Sequence, residues 1–150
     1  MDKLLDYIEE NENSPMYHIL LFLTDGNIHD LRETVDRMVQ CSTKPVSVII
    51  VGIGDGDFST MQFLDGDDPD KKMVDGYGVE QKRDICQFVR LDDFKDEDGT
   101  NADLLAEAVL EEVPEQLVAH MTSINEKPGD RLEAASKSHA LSKSQISNAN

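Results

Sequence analysis

The carboxylate best placed for chemistry in this sequence is Asp25, which is separated by Thr24 alone from the apolar run that ends at Leu23. Such a run, stopped by turn residues, predicts a strand, and open α/β sheets gather their ligands at the carboxyl ends of strands. A carboxylate in that position suits coordination of a hard cation through oxygen. The alternative interpretation, favoured by spacing alone, is that residues 24–26 form a turn that only ends the strand.

A second group of carboxylates lies in the polar stretch 65–82, which contains glycine and shows no periodicity. We interpret this stretch as a long surface loop. Its carboxylates could bind a calcium ion loosely, although a run of like charge is more often a solvated loop. The candidates for this weak cation loop are Asp65, Asp67 and Asp68.

Two further motifs fail on specific residues. Residues 52–56 hint at a phosphate-binding loop, but Asp57 stands where a dinucleotide fingerprint needs its third glycine. The same stretch resembles the start of an EF-hand, but Thr60 occupies the glycine position and Gly66 the position of the bidentate glutamate. We therefore interpret residues 52–56 as a structural turn.

No set of residues for nucleophilic or zinc catalysis is visible. The sequence lacks a GxSxG motif, and its four histidines show no metal-ligand spacing. Cys41 and Cys86 are most simply small buried hydrophobic residues with reduced thiols. His18 is predicted to be a satisfied strand histidine, and His29 could approach a bound anion. We predict that the chain is not an enzyme.

Composition narrows the class of partner. The 150 residues contain 14 Lys and Arg against 31 Asp and Glu, a formal charge of −17. This charge argues against nucleic-acid binding and against docking on an anionic membrane without a bridging divalent cation. No apolar run reaches the roughly 20 residues that span a bilayer, and the N-terminus does not resemble a signal peptide. We expect a cytoplasmic protein.

Periodicity places the helices and strands that would position these residues. An amphipathic stripe predicts a helix at residues 3–12, and the continuous apolar run 17–23 predicts a strand buried on both faces. A second amphipathic stripe, from Leu31 to Val39, predicts another helix. Asp30 and Glu33 form an approximate capping box at the start of that helix. Three more segments are predicted: a buried strand at 46–53, a short helix near Met61, and a strand at 85–91.

The last predicted helix begins near Ala102 and is interrupted by Pro114. The alternation of helices and strands predicts an α/β fold with about three parallel strands between helices. Three strands are few for such a fold, and the chain reads like half of a domain at residues 1–125. Residues 126–150 are polar and lack aromatic side chains, which predicts a disordered tail.

Several segments resemble the copine family. They occur in the family's order over about residues 3–122, and two of them, LDGD and RDI-QFV, are far more specific than a generic sheet. Copines are similar to von Willebrand factor A domains, which are doubly wound α/β folds with a metal-ion-dependent adhesion site. The matching segments are 17–26, 44–54, 57–58, 61, 63–67, 83–89 and 113–118.

The resemblance implies a role for Asp25. In the family's site, Mg²⁺ or Mn²⁺ is held by a DxSxS loop, a threonine and the aspartate of a TDG-like turn. Asp25 matches that aspartate. This sequence contains no DxSxS motif. Copines also carry two C2 domains that bind phospholipid with calcium, and these are absent from the 150 residues. The sequence therefore resembles the C-terminal half of the A domain, and we interpret it as a fragment with an incomplete metal site.

The function implied is that of a non-enzymatic protein-interaction module. In the full-length family it belongs to a cytoplasmic, calcium-dependent phospholipid-binding adaptor that recruits target proteins and associates peripherally with the plasma membrane. Membrane binding is expected only through the C2 domains. The resemblance also implies that the strand at 17–23 lacks a neighbour, so we expect self-association through its edge.

Two alternative functions are considered. Some ubiquitin ligases carry a copine-like A domain followed by a RING, which needs about eight Cys and His ligands for zinc. After residue 91 this sequence has only His120 and His139 and no cysteine, so ligase activity in this polypeptide is rejected. A small-molecule-binding α/β domain ranks last because no acid, base or nucleophile set supports it.

Overall fold

The computed structural model describes residues 1–11, 14, 16–26, 28–66, 72–96 and 99–125. Within them no helix is both long enough and apolar enough to cross a bilayer. The elements in chain order are α1 (Asp2–Glu10), β1 (His18–Thr24), α2 (Leu31–Cys41), β2 (Val46–Gly52), α3 (Ser59–Asp65), β3 (Cys86–Arg90), a 3-10 turn (Leu91–Phe94), β4 (Lys95–Asp96), β5 (Gly99–Thr100), α4 (Ala102–Leu110) and α5 (Val113–Ser123).

The three long strands form one parallel sheet in the order β1-β2-β3. Helices cover both faces of β2, so the predicted α/β fold with about three parallel strands is confirmed and is consistent with part of a von Willebrand factor A-like fold. The register sets His18 beside Val46 and Val48 beside Cys86. The carboxyl ends of β1 and β2 therefore meet at one edge of the sheet, next to Asp25.

The central strand β2 is buried over its whole length. Val46, Val48 and Ile50 face a cluster built from α1, α2 and α3. Ile49 and Val51 face a smaller cluster that includes Leu105 and Val109 of α4. An uninterrupted apolar, β-branched sequence is what a strand between two helical layers requires.

Strand β1 corrects the sequence interpretation, because it is not buried on both faces. Ile19, Leu21 and Leu23 remain 51%, 56% and 64% exposed. They share a face with Ile49 and Val51, but the helices on that face pack over β2 and β3. A continuous apolar run shows that both faces suit burial, and it does not show that a covering element is present.

The described part of the stretch 65–82, residues 65–66 and 72–82, shows more structure than the long surface loop that the sequence predicts. Met73 and Gln81 are buried, and Val74 and Glu80 form an antiparallel bridge. The carboxylate of Asp75 accepts hydrogen bonds from two backbone N–H groups of the intervening turn. Asp75 is therefore a turn-forming residue within residues 72–82.

The helices refine the predictions from sequence in two details. Asp30 is the N-cap of α2, as predicted, but its side chain makes no capping hydrogen bond. The last helical segment is two helices, with Pro114 in the first turn of α5, where its missing N–H costs nothing. The short β4–β5 hairpin was not predicted. The tail predicted at residues 126–150 lies outside the described residues.

Candidate functional site

The turn after β1 holds Asp25 at the carboxyl edge of the sheet. The Thr24 carbonyl accepts a hydrogen bond from the N–H of Ile53 at 2.8 Å, which ties the end of β1 to the end of β2. The Gly26 N–H donates to Oγ1 of Thr24 at 3.2 Å. The side chain of Asp25 is exposed, so its carboxylate lies at the surface on a backbone fixed from both sides.

A second turn, after β2, packs directly against this one. A Cβ added to Gly56 would lie 1.8 Å from the carbonyl oxygen of Asp25, and one added to Gly26 would lie 3.0 Å from the carbonyl oxygen of Asp57. Gly26 also has a φ of +104°, which favours glycine. The two turns therefore touch backbone to backbone, and the glycines at 26 and 56 permit that approach. We call the turns 24–26 and 54–57 the paired turns.

Asp57, in the second of the paired turns, is held by the start of α3. Its Oδ1 accepts a hydrogen bond from the Ser59 N–H at 2.9 Å. Hydrogen bonds from the backbone and side chain of Ser59 lower the pKa of Asp57 below its usual value, because they favour the carboxylate form. Asp57 therefore stays ionised and fixes the second turn.

The donors at the paired turns do not form a complete metal site. Asp25, Asp55 and Asp57 are exposed carboxylates there, but no group of three or more His, Cys, Asp or Glu in the described part of the chain is arranged to hold a metal ion. A Mg²⁺ ion needs near-octahedral coordination by about six oxygens, and one carboxylate supplies one or two of them. The assignment of Asp25 as a metal ligand stays a prediction.

The predicted weak cation loop divides into two parts. Asp65 is the last residue of α3 and is buried, and its Oδ1 accepts a hydrogen bond from the backbone N–H of Phe88 in β3. Asp67 and Asp68 lie outside the described residues. The weak cation loop therefore stays a prediction, although Asp65 has a structural task in this fold.

Arg83 organises the opposite, amino-terminal edge of the sheet. Its Nη2 donates to the carbonyl oxygens of Lys44 and Val46 at 2.5 and 2.7 Å, and its Nη1 donates to the carbonyl of Gln116 in α5 at 3.4 Å. Burial lowers the pKa of Arg83, while its neighbour Tyr17 raises it. Sequence reasoning noticed Arg83 only within a matching segment, because a lone arginine before a strand carries no other signal.

A cleft of about 390 Å³, which sequence reasoning also missed, lies between the helices α1, α2 and α3 and the strands β1 and β2. Apolar side chains such as Phe22, Ile28 and Met38 line it, and an ion pair between Asp2 and Arg37, 2.6 Å from Oδ1 to Nε, lies among its lining residues. No local pattern could have shown this cleft, because its walls come from five separate elements.

These features define the class of protein: a three-stranded parallel α/β unit with an exposed acidic turn at its carboxyl edge. A family model described as Copine matches residues 1–129, and the chain belongs to the copine family. The resemblance found in the sequence is confirmed.

Three curated relatives from Dictyostelium discoideum give the extent of the similarity. The chain is 40% identical to Copine-D over 113 residues, which are 75% of this chain and 20% of that protein. It is 42% identical to Copine-B over 116 residues (77% and 21%) and 42% identical to Copine-C over 112 residues (75% and 20%). The chain spans about a fifth of the length of these relatives.

Proposed function

We propose that this chain is a protein-interaction module of a copine-like protein and that it catalyses no reaction. The observation that supports the proposal is the paired turns, which hold the Asp25 carboxylate exposed on a rigid backbone. A fixed, exposed carboxylate at the carboxyl edge of a parallel sheet suits recognition of a ligand. The relatives that match are named as copines, which supports a copine-like protein as the context of this module.

Divalent-cation dependence is part of the proposal. Asp25 contributes one oxygen donor toward Mg²⁺ or Mn²⁺, and the remaining donors come from residues outside the described part of the chain and from an acidic side chain of the target protein. The proposal places the other donors elsewhere because the carboxylates at the paired turns, in the described part of the chain, do not make a full coordination sphere. The role of this chain is to position Asp25.

In the context of a longer protein, we propose that the module recruits targets for a calcium-dependent phospholipid-binding adaptor. The protein would be cytoplasmic and would associate peripherally with the plasma membrane. The formal charge of −17 repels anionic headgroups, so membrane contact would be made by C2 domains elsewhere in the protein and not by this segment.

The test compares Asp25→Ala with Asp6→Ala in the longest native product that contains this segment. Asp6 is an exposed carboxylate on α1, away from the paired turns, and serves as the matched control. Cytosolic proteins retained on the immobilised product are quantified in Mg²⁺, in Mn²⁺ and in EDTA. We expect Asp25→Ala to lose the cation-dependent fraction and Asp6→Ala to keep it. Equal retention by both variants would reject the role of Asp25.

The cleft between the helices α1, α2 and α3 and the strands β1 and β2 supports a second candidate, the binding of a small apolar molecule. Its volume of about 390 Å³ lies in the range of ligand pockets, and its lining is mostly apolar. Thr34→Phe should fill part of the cleft, whereas Thr43→Phe adds the same bulk at an exposed position after α2. If the cleft binds apolar molecules, Nile red fluorescence falls for Thr34→Phe and not for Thr43→Phe; equal signals reject this candidate.

A further inference from the structure

Three residues lie side by side where the strands of the parallel sheet end. The register pairs Thr24 of β1 with Gly52 of β2, and it pairs Gly52 with Arg90 of β3. Side chains at paired positions of neighbouring strands project from the same face of a sheet. That face is the one that α1, α2 and α3 cover, because Val48 and Ile50 contact those helices from it. The middle position of the three has no side chain, which leaves a gap over Gly52.

The ring of Phe58 fills the gap over Gly52. A Cβ added to Gly52 would lie 2.7 Å from Cε1 of Phe58 and 2.9 Å from its Cζ. Phe58 is 5% exposed and is the N-cap residue of α3, and its carbonyl accepts hydrogen bonds from the N–H groups of Met61 and Gln62. The ring therefore fixes the point on the sheet at which α3 begins.

The side chain of Arg90 lies over the Phe58 ring. Its guanidinium carbon is 5.5 Å from the ring centroid, a distance at which the cation is attracted to the aromatic face. Phe88, two residues earlier in β3, packs on the same ring with the two centroids 5.6 Å apart. The Nε of Arg90 is buried and has no hydrogen-bond partner among the described residues. The ring of Phe58 is therefore a main determinant of where this cation lies.

Phe58 directly follows the second of the paired turns, residues 54–57. Both ends of that turn are held at one place, because Gly52 before it and Phe58 after it are in contact. Between these ends, the backbone of Gly56 packs on the carbonyl oxygen of Asp25. A displacement of the Phe58 ring would therefore move the second turn and remove the support that it gives to the first.

We propose that Arg90 is a positioning residue for Asp25. Arg90 holds the Phe58 ring on Gly52, the ring fixes the second of the paired turns, and that turn fixes the backbone of Asp25. Arg90 acts through the ring and not as a ligand. The role rests on the proposed function, in which the Asp25 carboxylate recognises a ligand, and a group with that task must be held to within about 0.5 Å. Every contact in this argument joins described residues.

The first test measures the backbone position of Asp25 without any metal or target. Arg90→Gln should change the amide chemical shifts of Asp25 and Gly26. Arg37→Gln makes the same substitution on α2 and should leave these shifts unchanged. Val89→Ala removes buried packing from the opposite face of β3 and should also leave them unchanged. Unchanged shifts in Arg90→Gln, or equal changes in all three variants, would overturn the proposal.

Conservative variants separate the contribution of the cation from that of the ring. Arg90→Lys keeps a cation over the ring and should return the two amide shifts most of the way to their wild-type positions. Phe58→Leu removes the aromatic face and should displace them as Arg90→Gln does. If Arg90→Lys displaced the shifts as far as Arg90→Gln, the contact between the cation and the ring would not position Asp25.

The second test uses the longest native product and measures the Mg²⁺ concentration that gives half-maximal retention of target proteins. This concentration should rise about threefold or more for Arg90→Gln, the order of one cation–π contact, and should not change for Val89→Ala. Partial unfolding alone lowers the amount retained and leaves the midpoint where it was. An unchanged midpoint in Arg90→Gln would overturn the positioning role. A wild type without cation dependence would reject the proposed function instead, and the amide shifts would then decide the role of Arg90.

Discussion

The guanidinium carbon of Arg83 lies 5.9 Å from the ring centroid of Tyr17, and Nη1 of Arg83 donates to the Tyr17 hydroxyl at 3.5 Å. The same hydroxyl lies 2.8 Å from Oγ of Ser47 in β2. Arg83 therefore joins the residue before β1 to the start of β2 and, through Gln116, to α5. One side chain fixes the amino-terminal edge of the sheet.

Replacement of Arg83 by lysine should destabilise the fold. Lysine keeps the charge but cannot reach the carbonyls of Lys44, Val46 and Gln116 together, since it lacks the planar fork of arginine. The expected loss in free energy of unfolding is about 2–4 kcal/mol. Urea titration measures it, with Arg32→Lys at an exposed position of α2 as the control. Equal midpoints for the two variants would contradict the role of Arg83.

Gly56→Ala tests the backbone contact within the paired turns. The new methyl group would lie 1.8 Å from the Asp25 carbonyl, which is backbone and cannot rotate away. We expect a loss of about 2–3 kcal/mol, as in overpacked cores. Gly78→Ala is the control, because Gly78 has a φ of +84° but open space around it. Its cost should be about 1–2 kcal/mol, from backbone strain alone.

The two glycine variants also differ in what they displace. Gly56→Ala should move the Asp25 turn, which the amide chemical shifts of Asp25 and Gly26 would report. Gly78→Ala should leave those shifts unchanged. Unmoved shifts in Gly56→Ala would show that the paired turns are farther apart than described.

Asp65→Ala should weaken the outer edge of β3. The substitution removes the acceptor of the Phe88 N–H, and a buried donor left without its acceptor costs about 1–3 kcal/mol. Asp65→Asn keeps an acceptor oxygen and should cost less. Thermal unfolding of both variants, with the exposed Asp93→Ala as the reference, measures the difference. No difference between Asp65→Ala and Asp93→Ala would exclude this capping role.

Stability should fall at alkaline pH through the buried thiols. Burial raises the pKa of Cys41 from 9.0 to about 11 and raises that of Cys86 as well. Between pH 9.0 and about 11 the unfolded chain ionises Cys41 while the folded chain keeps it neutral, so ionisation favours unfolding. The stabilising contribution of the neutral Cys41 thiol is complete below pH 9.0. It is lost as the pH rises through the pKa of Cys41 in the folded chain, about 11.

Urea midpoints at the two ends of this pH window measure the effect. Cys41→Ala removes one of the titrating groups and should show a smaller fall than the wild type. An identical fall in the variant would assign the alkaline loss to other groups. At neutral pH, neither native thiol should react with a thiol reagent until the chain is unfolded.

Local patterns predicted most of the fold but not the burial of every strand. Buried β2 and exposed β1 are both nearly continuous apolar runs, and what separates them is whether α4 and α5 lie over them. That relationship joins residues more than 50 positions apart, such as Ile49 and Leu105, and periodicity within a window does not contain it. The boundary at Pro114 was predictable because proline acts locally on the backbone.

The candidate site, like the fold, could be predicted from the sequence only in part. Asp25 was found from a local feature, a carboxylate directly after a strand. The contact between Asp25 and Gly56 was not, because residues 52–56 gave no sign of which turn they would touch. Asp65 was grouped with its acidic neighbours in sequence, whereas the fold pairs it with Phe88, 23 positions away. The sequence shows which side chains follow a strand or form a turn. Which distant residues those side chains contact depends on the completed sheet.

Strand β2 is completely buried between two strands and two helical layers, so hydrogen exchange of its amides can measure the global unfolding of the chain. The amide protons of Val48, Ile50 and Gly52 should exchange with deuterium only when the whole sheet opens, so their slowest rates report global stability directly. His18 and Thr24 bond toward β2, so the amides of the alternate residues Ile19, Leu21 and Leu23 point away from it. These amides should exchange as fast as in an unstructured peptide when no strand pairs with that edge of β1. The ratio of the two sets of rates therefore records, in one spectrum, how firmly the sheet is built and whether its edge is occupied.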